Sequence, residues 1–429
     1  MRWADGLRFA WLPLPERRFL LFAIACIVAI RLAVIFMTPR TADFLDPRIY
    51  QGAGQTVLAG VNPYDFADDP PLREKLRARM AAPGTEDFTQ TQESWNYYVS
   101  GNPPASTALY ALFEAAAHGS RVAWRLLLIL GDVALFLGQF TLLKTLRGRV
   151  DGALDQTATL CLTVFNPILI LSGCAIPEDK QFQTALMLFA AALLLSPAAT
   201  TARRGLVTGI VFSLSVFFKV LGIFLTPLWL ARMRREGWRF ALWTILGALV
   251  PAALSLAAFG RYFIGTLAAR GAENSIRGPE HASPWVLFPV AGDAYVAAKT
   301  VAVGLFCAAL AGLLAKRRID LLNLCAGITV AFVCLWLDKG AMTRMNIAMV
   351  FAVASLSSLS SKLFAYFSIA LAAVSAAGYA FGLGVLRVHP DSVDALLALL
   401  FVLAYLAALL AFANPERTPG SWSNQSIHT

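Results

Sequence analysis

The sequence predicts an all-α polytopic membrane protein with about twelve spans, on three observations. Apolar runs near the ~20 residues that a helix needs to cross a bilayer recur along the whole chain. The composition is 58% hydrophobic and only 14% charged, with a mean hydropathy of +0.63. The net charge of +10 is carried largely by short basic loops between these runs. That placement follows the positive-inside rule and argues against a nucleic-acid-binding face.

The first hydrophobic stretch, 19–37, is long enough to stay in the membrane as a span, so no cleaved signal peptide is expected. Arg2, Arg8, Arg17 and Arg18 precede it and place the N-terminus in the cytoplasm. Residues 38–121 then form an extracytoplasmic segment, whose portion from Thr38 to Pro104 holds nine acids and six bases, unlike the purely basic short loops. It opens with Asp43 and Asp46. Asp46 before Pro47 reads as an N-cap with Pro at the first helical position, starting a short helix to about Ala59. Gly60 ends it, and Asn62-Pro63 makes a turn. Farther on, Leu72, Leu76 and Met80 recur at helical spacing beside Arg73, Lys75, Arg77 and Arg79, as in a helix lying on the membrane surface; a solvated helix is the alternative. The apolar stretch after Pro103-Pro104, up to about His118, is read as re-entrant or interfacial. If it crossed, Lys144, Arg147 and Arg149 would lie outside and every later basic loop would be inverted.

Eleven further spans follow within 122–413, at about 122–146, 157–175, 180–196, 205–218, 220–231, 239–259, 293–315, 319–337, 341–359, 362–384 and 391–413. Residues 414–429 form a cytoplasmic tail, and the chain reads as a single transmembrane domain over 1–429. Arg203-Arg204, Arg232, Arg234-Arg235, Lys316 to Arg318 and Lys362 then all face the cytoplasm. The six cysteines fall in hydrophobic segments without CxxC spacing, so neither a disulfide framework nor a zinc site is expected.

This topology gathers charged, non-helical pieces on the outer face, which a membrane protein tolerates where they line an aqueous site. They offer the carboxylates Asp43, Asp46, Glu178 and Asp179, and the cations Lys180, Lys219, Arg277, Lys339 and Arg344. They also bring His281 and the aromatics Trp95, Tyr97, Tyr98 and Trp285, which can stack on sugar faces. No P-loop, hydrolase elbow or HExxH is present. The set fits transfer of a sugar from a polyprenyl-phosphate carrier to a hydroxyl acceptor. Phosphate is a good leaving group, so the reaction needs a base for the acceptor and cations for the departing charge. Each residue also has a structural alternative. Lys and Arg at span ends snorkel to headgroups, the aromatics form interfacial belts, Asp46 is a cap, and His281 packs a loop. Asp132, in mid-span, is read as a structural hydrogen-bonding group with Gln139 as candidate partner.

In these residues the chain resembles the GT-C membrane glycosyltransferases, in particular GPI mannosyltransferase I and the bacterial polyprenol-phosphate-mannose-dependent α-mannosyltransferases. Asp46 to Tyr64 looks like the family's first-loop pattern of an acid, a short helix and Gly-x-x-Pro-Tyr. Asp132, Phe165-Asn166-Pro167 with Glu178, Phe218-Lys219 ahead of Pro227, His281 to Trp285, and Asp338-Lys339 with Thr343 resemble further family segments in the same order. The resemblance implies a GT-C-like bundle in a bacterial inner (plasma) membrane, with its site on the extracytoplasmic face. It implies Asp46 as catalytic base, with Asp43 as rival because the family's Asp-x-Asp is here spaced by two residues. Together with the residues gathered on the outer face, it gives donor and acceptor contacts from Lys219, His281, Lys339, Arg344, Glu178, Tyr98 and Arg277, of which Arg344, Tyr98 and Arg277 rest on that gathering alone. The partners implied are a polyprenyl-phosphate sugar donor, a lipid or glycan acceptor and membrane lipids, with no cofactor beyond the donor and no nucleic acid. The aromatics expected after the Lys339 segment are missing, which leaves the sugar and acceptor open. A secondary transporter or lipid flippase is the competing class. It would gather its charges near the midplane and show a repeat, and no repeat is evident. A non-catalytic membrane scaffold is a third class, which would not need the acid, His and Lys to meet.

The topology is testable by cysteine labelling from outside the cell. A cysteine placed at Thr85 is expected to be modified and one at Ala202 protected. The reverse pattern inverts the orientation.

Overall fold

The computed structural model describes residues 12–37, 45–64, 102–170, 179–196, 201–261, 263–264, 284–288, 292–316, 319–336, 342–357, 360–382, 399–400 and 402–409. At 45–48, 168, 286, 342–346 and 374–382 the backbone alone is described. The described residues form fourteen α-helices and no strand, so the protein is all-α. Four of these helices are long and apolar enough to cross a membrane: α1 (Leu14–Met37), α4 (Arg121–Arg147), α10 (Trp238–Phe259) and α11 (Gly292–Ala315). The chain is therefore a multi-pass membrane protein with four candidate spans among the described residues, which corrects the expectation of about twelve.

The correction has a local cause. The expected span 157–175 is broken into α5 (Ala153–Thr159), a π-helical segment (Leu160–Val164) and α6 (Pro167–Ile170), parted at Phe165-Asn166. The expected pair around Lys219 is α8 (Ala202–Phe218), a 3-10 turn (Val220–Leu225) and α9 (Thr226–Glu236), whose Pro227 suits the first turn of a new helix. α7 (Lys180–Leu195) has 16 residues, and α12 (Leu321–Ala331) runs into a second π segment (Phe332–Trp336). α13 (Met342–Leu356) has 15 residues, and α14 (Ser361–Gly382) follows it. Apolar helices buried in protein need not match the bilayer thickness, and hydropathy does not distinguish them from spans.

α4 is the most buried of the four candidate spans: 61% of its spanning window is buried, against 17% for α11. α4 and α7 run side by side where Gly131 lies against Phe182, and Gly138 against Ala185 and Leu188. α8 and α10 approach still more closely. A Cβ added at Gly209 would stand 1.9 Å from the Thr244 carbonyl oxygen, and one at Gly247 would stand 2.1 Å from that of Leu206. Small residues permit such backbone contact between apolar helices, where packing rather than water exclusion drives association.

One charged contact crosses this core. Arg31 of α1 and Asp132 of α4, 0% and 2% exposed, form an ion pair at 3.3 Å. Arg31 also donates to the Val164 carbonyl at 2.5 Å and to that of Thr163 at 3.1 Å. These carbonyls end the π segment, where the irregular turn leaves backbone acceptors for a side chain to fill. Asp132 thus pairs with Arg31 and not with Gln139, whose amide has no hydrogen-bond partner among the described residues. The Arg31 guanidinium offers a charged, forked donor, which a buried carboxylate needs more than it needs an amide.

Helix ends gather in two sets. At one end, Lys144 at the close of α4 meets Glu16 of α1 at 2.6 Å. There Arg147 meets Asp155 of α5 at 3.3 Å, and also bonds the Ser357 carbonyl and the Ser361 hydroxyl. Arg204 donates to the carbonyls of Leu193 at 3.2 Å and Ser196 at 2.8 Å, closing the α7–α8 turn at this same end. The opposite end carries α2 (Leu45–Leu58) and α3 (Pro104–Ala117), two short helices packed on each other over the ends of α7, α8 and α10.

Replacing Arg31 by Met strands the Asp132 charge and two carbonyls. A loss of about 3–5 kcal/mol is expected, while Arg31→Met with Asp132→Leu should recover much of it. Denaturation of the three variants in detergent measures the coupling.

Candidate functional site

The end of the bundle bearing α2 and α3 carries Asp46 and Lys219 of the sequence-predicted site residues, and its architecture begins with α2. This helix starts at Leu45, so Asp46 stands inside its first turn and not at the N-cap position expected for it. It stops as expected at Gly60, which takes φ 74°. Gly60 N–H donates to the Val57 carbonyl, and Val61 N–H to that of Thr56, the paired bonds of a Schellman ending. The chain then turns at Asn62, whose side-chain oxygen accepts from Tyr64 N–H at 3.1 Å while its amide donates to the Phe259 carbonyl at 2.8 Å. The Tyr64 hydroxyl donates to the Asn102 carbonyl at 2.6 Å and shares a 2.8 Å hydrogen bond with Thr107. Its ring packs edge-on against Phe259 and Phe263. The segment Gly60 to Tyr64 thereby ties α2 to the end of α10 and to the start of α3.

α3 is the platform under α2. Tyr50 stacks on Tyr110 with ring centroids 4.7 Å apart. Gly54 lies so close that a Cβ there would be 2.6 Å from the Tyr110 carbonyl oxygen. Gln51 donates to the Gly119 carbonyl at 2.9 Å. Buried Glu114 accepts from Gln55 at 2.9 Å through one oxygen and from the Trp124 indole N–H at 2.6 Å through the other. A buried carboxylate with both oxygens bonded is held in a single orientation, and it locks α2, α3 and α4 together.

Against this platform sits Lys219. It follows α8 directly, in extended backbone with φ −151° and ψ 140°, and so turns out of the helix. Its ammonium donates to Asp179 Oδ1 at 2.5 Å, and the Tyr110 hydroxyl donates to Oδ2 at 2.5 Å. Asp179 is fully buried just ahead of α7, and the Lys219 side chain is 19% exposed. The ammonium also stands 5.8 Å from the Tyr50 ring centroid. Tyr50 lies one helical turn after Asp46 on α2. The structure therefore brings Lys219 beside the helix that carries Asp46. Lysine has three N–H donors; one is engaged by Asp179, and no hydrogen bond occupies the others among the described residues.

Of the other sequence-predicted site residues, Asp43, Tyr98, Glu178, Arg277, His281 and Lys339 lie outside the described residues. Arg344 is described by its backbone alone, in the first turn of α13. Trp285, from the segment that begins at His281, lies in a 3-10 turn (Pro284–Leu287) and donates to the Leu335 carbonyl at 2.5 Å. The sequence reading passed over Tyr110 and Glu114, and it named Asp179 without a partner. Glu114 did leave a signal, as a lone acid inside an apolar helix, and so did Arg31 within the first span. Tyr110 left none, because a tyrosine within an apolar helix is ordinary.

No protein-family model and no curated protein matches this sequence.

Asp179→Asn removes the partner of a mostly buried ammonium and weakens the bond from Tyr110. A loss of about 1.5–3 kcal/mol is expected, the range for hydrogen bonds to charged groups. Tyr110→Phe should cost less, since Lys219 and Asp179 remain paired. Thermal unfolding of both variants in one detergent gives the order.

Proposed function

We propose that the chain is an integral membrane glycosyltransferase of GT-C type. It moves a sugar, mannose by the resemblance, from a polyprenyl-phosphate donor to a hydroxyl of a lipid or glycan acceptor at the extracytoplasmic face. The observation that carries this reading is the meeting of Lys219, Asp179 and Tyr110 with α2, the helix bearing Asp46, at one end of the bundle. A transferase acting on a lipid-borne donor needs its base and its phosphate-binding cation at the membrane surface.

In this mechanism Asp46, with Asp43 as rival, accepts the proton of the acceptor hydroxyl. The acceptor oxygen bonds to the anomeric carbon from the face opposite the phosphate, and the bond from that carbon to the phosphate oxygen breaks. The product is inverted, with no covalent sugar–enzyme intermediate. Lys219 stabilises the charge growing on the leaving phosphate through the N–H donors that Asp179 does not occupy. Asp179 and Tyr110 hold its ammonium in place for that role. Lys339 and Arg344 are assigned to the same phosphate, and His281, Arg277, Glu178 and Tyr98 to donor and acceptor groups, from their expected place on the outer face, with the resemblance adding to the case for Lys339, His281 and Glu178.

A transporter would draw on the mid-span pair Arg31–Asp132 instead. That pair is fixed to two backbone carbonyls, which suits a strut better than a mobile carrier.

The test is incubation of the purified protein with a panel of polyprenyl-phosphate sugars and lipid acceptors, followed by mass analysis of lipid extracts. Transfer from one donor without any ion gradient is expected. Asp46→Asn should lower the rate by about 10²–10⁴-fold, the usual share of a general base, and leave donor binding nearly intact. A dead Asp43→Asn beside an active Asp46→Asn exchanges the two roles. Absence of transfer from every donor, with gradient-driven movement of one of them, replaces the reading by transport.

A further inference from the structure

At the end of the bundle remote from Lys219, an open cleft of about 520 Å³ lies between the start of α1 and the start of α5. Its lining mixes charged and apolar side chains: Leu14, Pro15, Arg18, Phe19 and Phe22 on α1, and Asp151, Gln156 and Leu160 on the facing wall. Arg18 and Phe22 stand one turn apart on α1, as do Gln156 and Leu160 along the facing chain, so on each wall an apolar side chain lies one turn beyond a polar one. Arg18 borders the apolar run that starts at Phe19. Arg18 and Asp151 are both exposed, and no ion pair joins either of them to another side chain among the described residues. Both charges are thus presented to the cleft without neutralising each other.

We propose that this cleft binds a zwitterionic glycerophospholipid with a primary ammonium headgroup, that is, a phosphatidylethanolamine. The charge pattern selects it. Arg18 matches the phosphodiester, and Asp151 matches an ammonium that donates N–H bonds. Gln156, whose amide donates to the Val150 carbonyl at 3.3 Å, offers its side-chain oxygen alone beside the polar region, and Phe19, Phe22 and Leu160 receive an acyl chain. Phosphatidylglycerol has no cation for Asp151. The ammonium of phosphatidylcholine carries no N–H, so it loses the hydrogen bond while keeping the charge. The site is independent of the proposed sugar transfer.

The full-length protein is reconstituted in phosphatidylcholine nanodiscs containing equal minor fractions of phosphatidylethanolamine and phosphatidylglycerol. Lipids retained on gentle release are then counted by native mass spectrometry. Wild type is expected to retain phosphatidylethanolamine about tenfold over phosphatidylcholine, the equivalent of one charge-assisted hydrogen bond. Asp151→Asn should abolish that preference, and Arg18→Gln should lower retention of all three phospholipids, with Arg18→Lys restoring part of it. Both positions are exposed, and unchanged melting in detergent confirms that each variant is folded. Equal retention of phosphatidylethanolamine and phosphatidylcholine by wild type, preference for phosphatidylglycerol, or an undiminished preference in Asp151→Asn overturns the proposal.

Discussion

A charge placed inside an apolar bundle must be satisfied by protein, and in this chain that constraint is met by Arg31. Its guanidinium binds Asp132 and the carbonyls of Thr163 and Val164, so a single side chain of α1 fixes both α4 and the π segment that follows α5. The pair adds little net stability over a well-packed apolar equivalent. What it supplies is register. Sliding α1 along α4 would leave two charges and two carbonyls without partners, a cost that apolar packing alone does not impose. With that register set, α4 meets α7 through Gly131 and Gly138, and α7 in turn presents Asp179 at the end where α2 and α3 sit.

The α2–α3 platform solves a different problem. Two helices of 14 residues each have too few residues to be stable alone. Here they are held by polar contacts at several points. Glu114 links three helices, Tyr64 closes the first loop onto Asn102 and Thr107, and Asn62 reaches the end of α10. The result places Tyr50 under the Lys219 ammonium and leaves Asp46 one turn away along the same helix. Rigid support of this kind is what the proposed transfer requires, because misplacement of reacting groups by about 1 Å is costly.

Much of this was legible in local signals. Gly60 ending a short helix, Asn62-Pro63 turning and Pro103-Pro104 opening another helix all follow from backbone chemistry confined to a few residues. The division of the long apolar segments was not legible in the same way. Hydropathy counts apolar residues without sensing whether lipid or protein covers them. The expected span over 157–175 therefore hid a break at Asn166, and 319–337 hid a π segment.

The sequence by itself determined that the chain is all-α and that it holds apolar helices long enough to cross a membrane. Composition and short-range spacing suffice for that, because bilayer thickness and helix periodicity act on contiguous residues. Only the tertiary structure decided which charge meets which. Asp132 pairs with Arg31 across 101 positions, and not with Gln139 seven residues on along its own helix. Lys219 pairs with Asp179 across 40 positions. Those choices depend on how helices pack side by side. A buried charge takes the partner that packing delivers at hydrogen-bonding distance, and no local pattern in the chain records that distance.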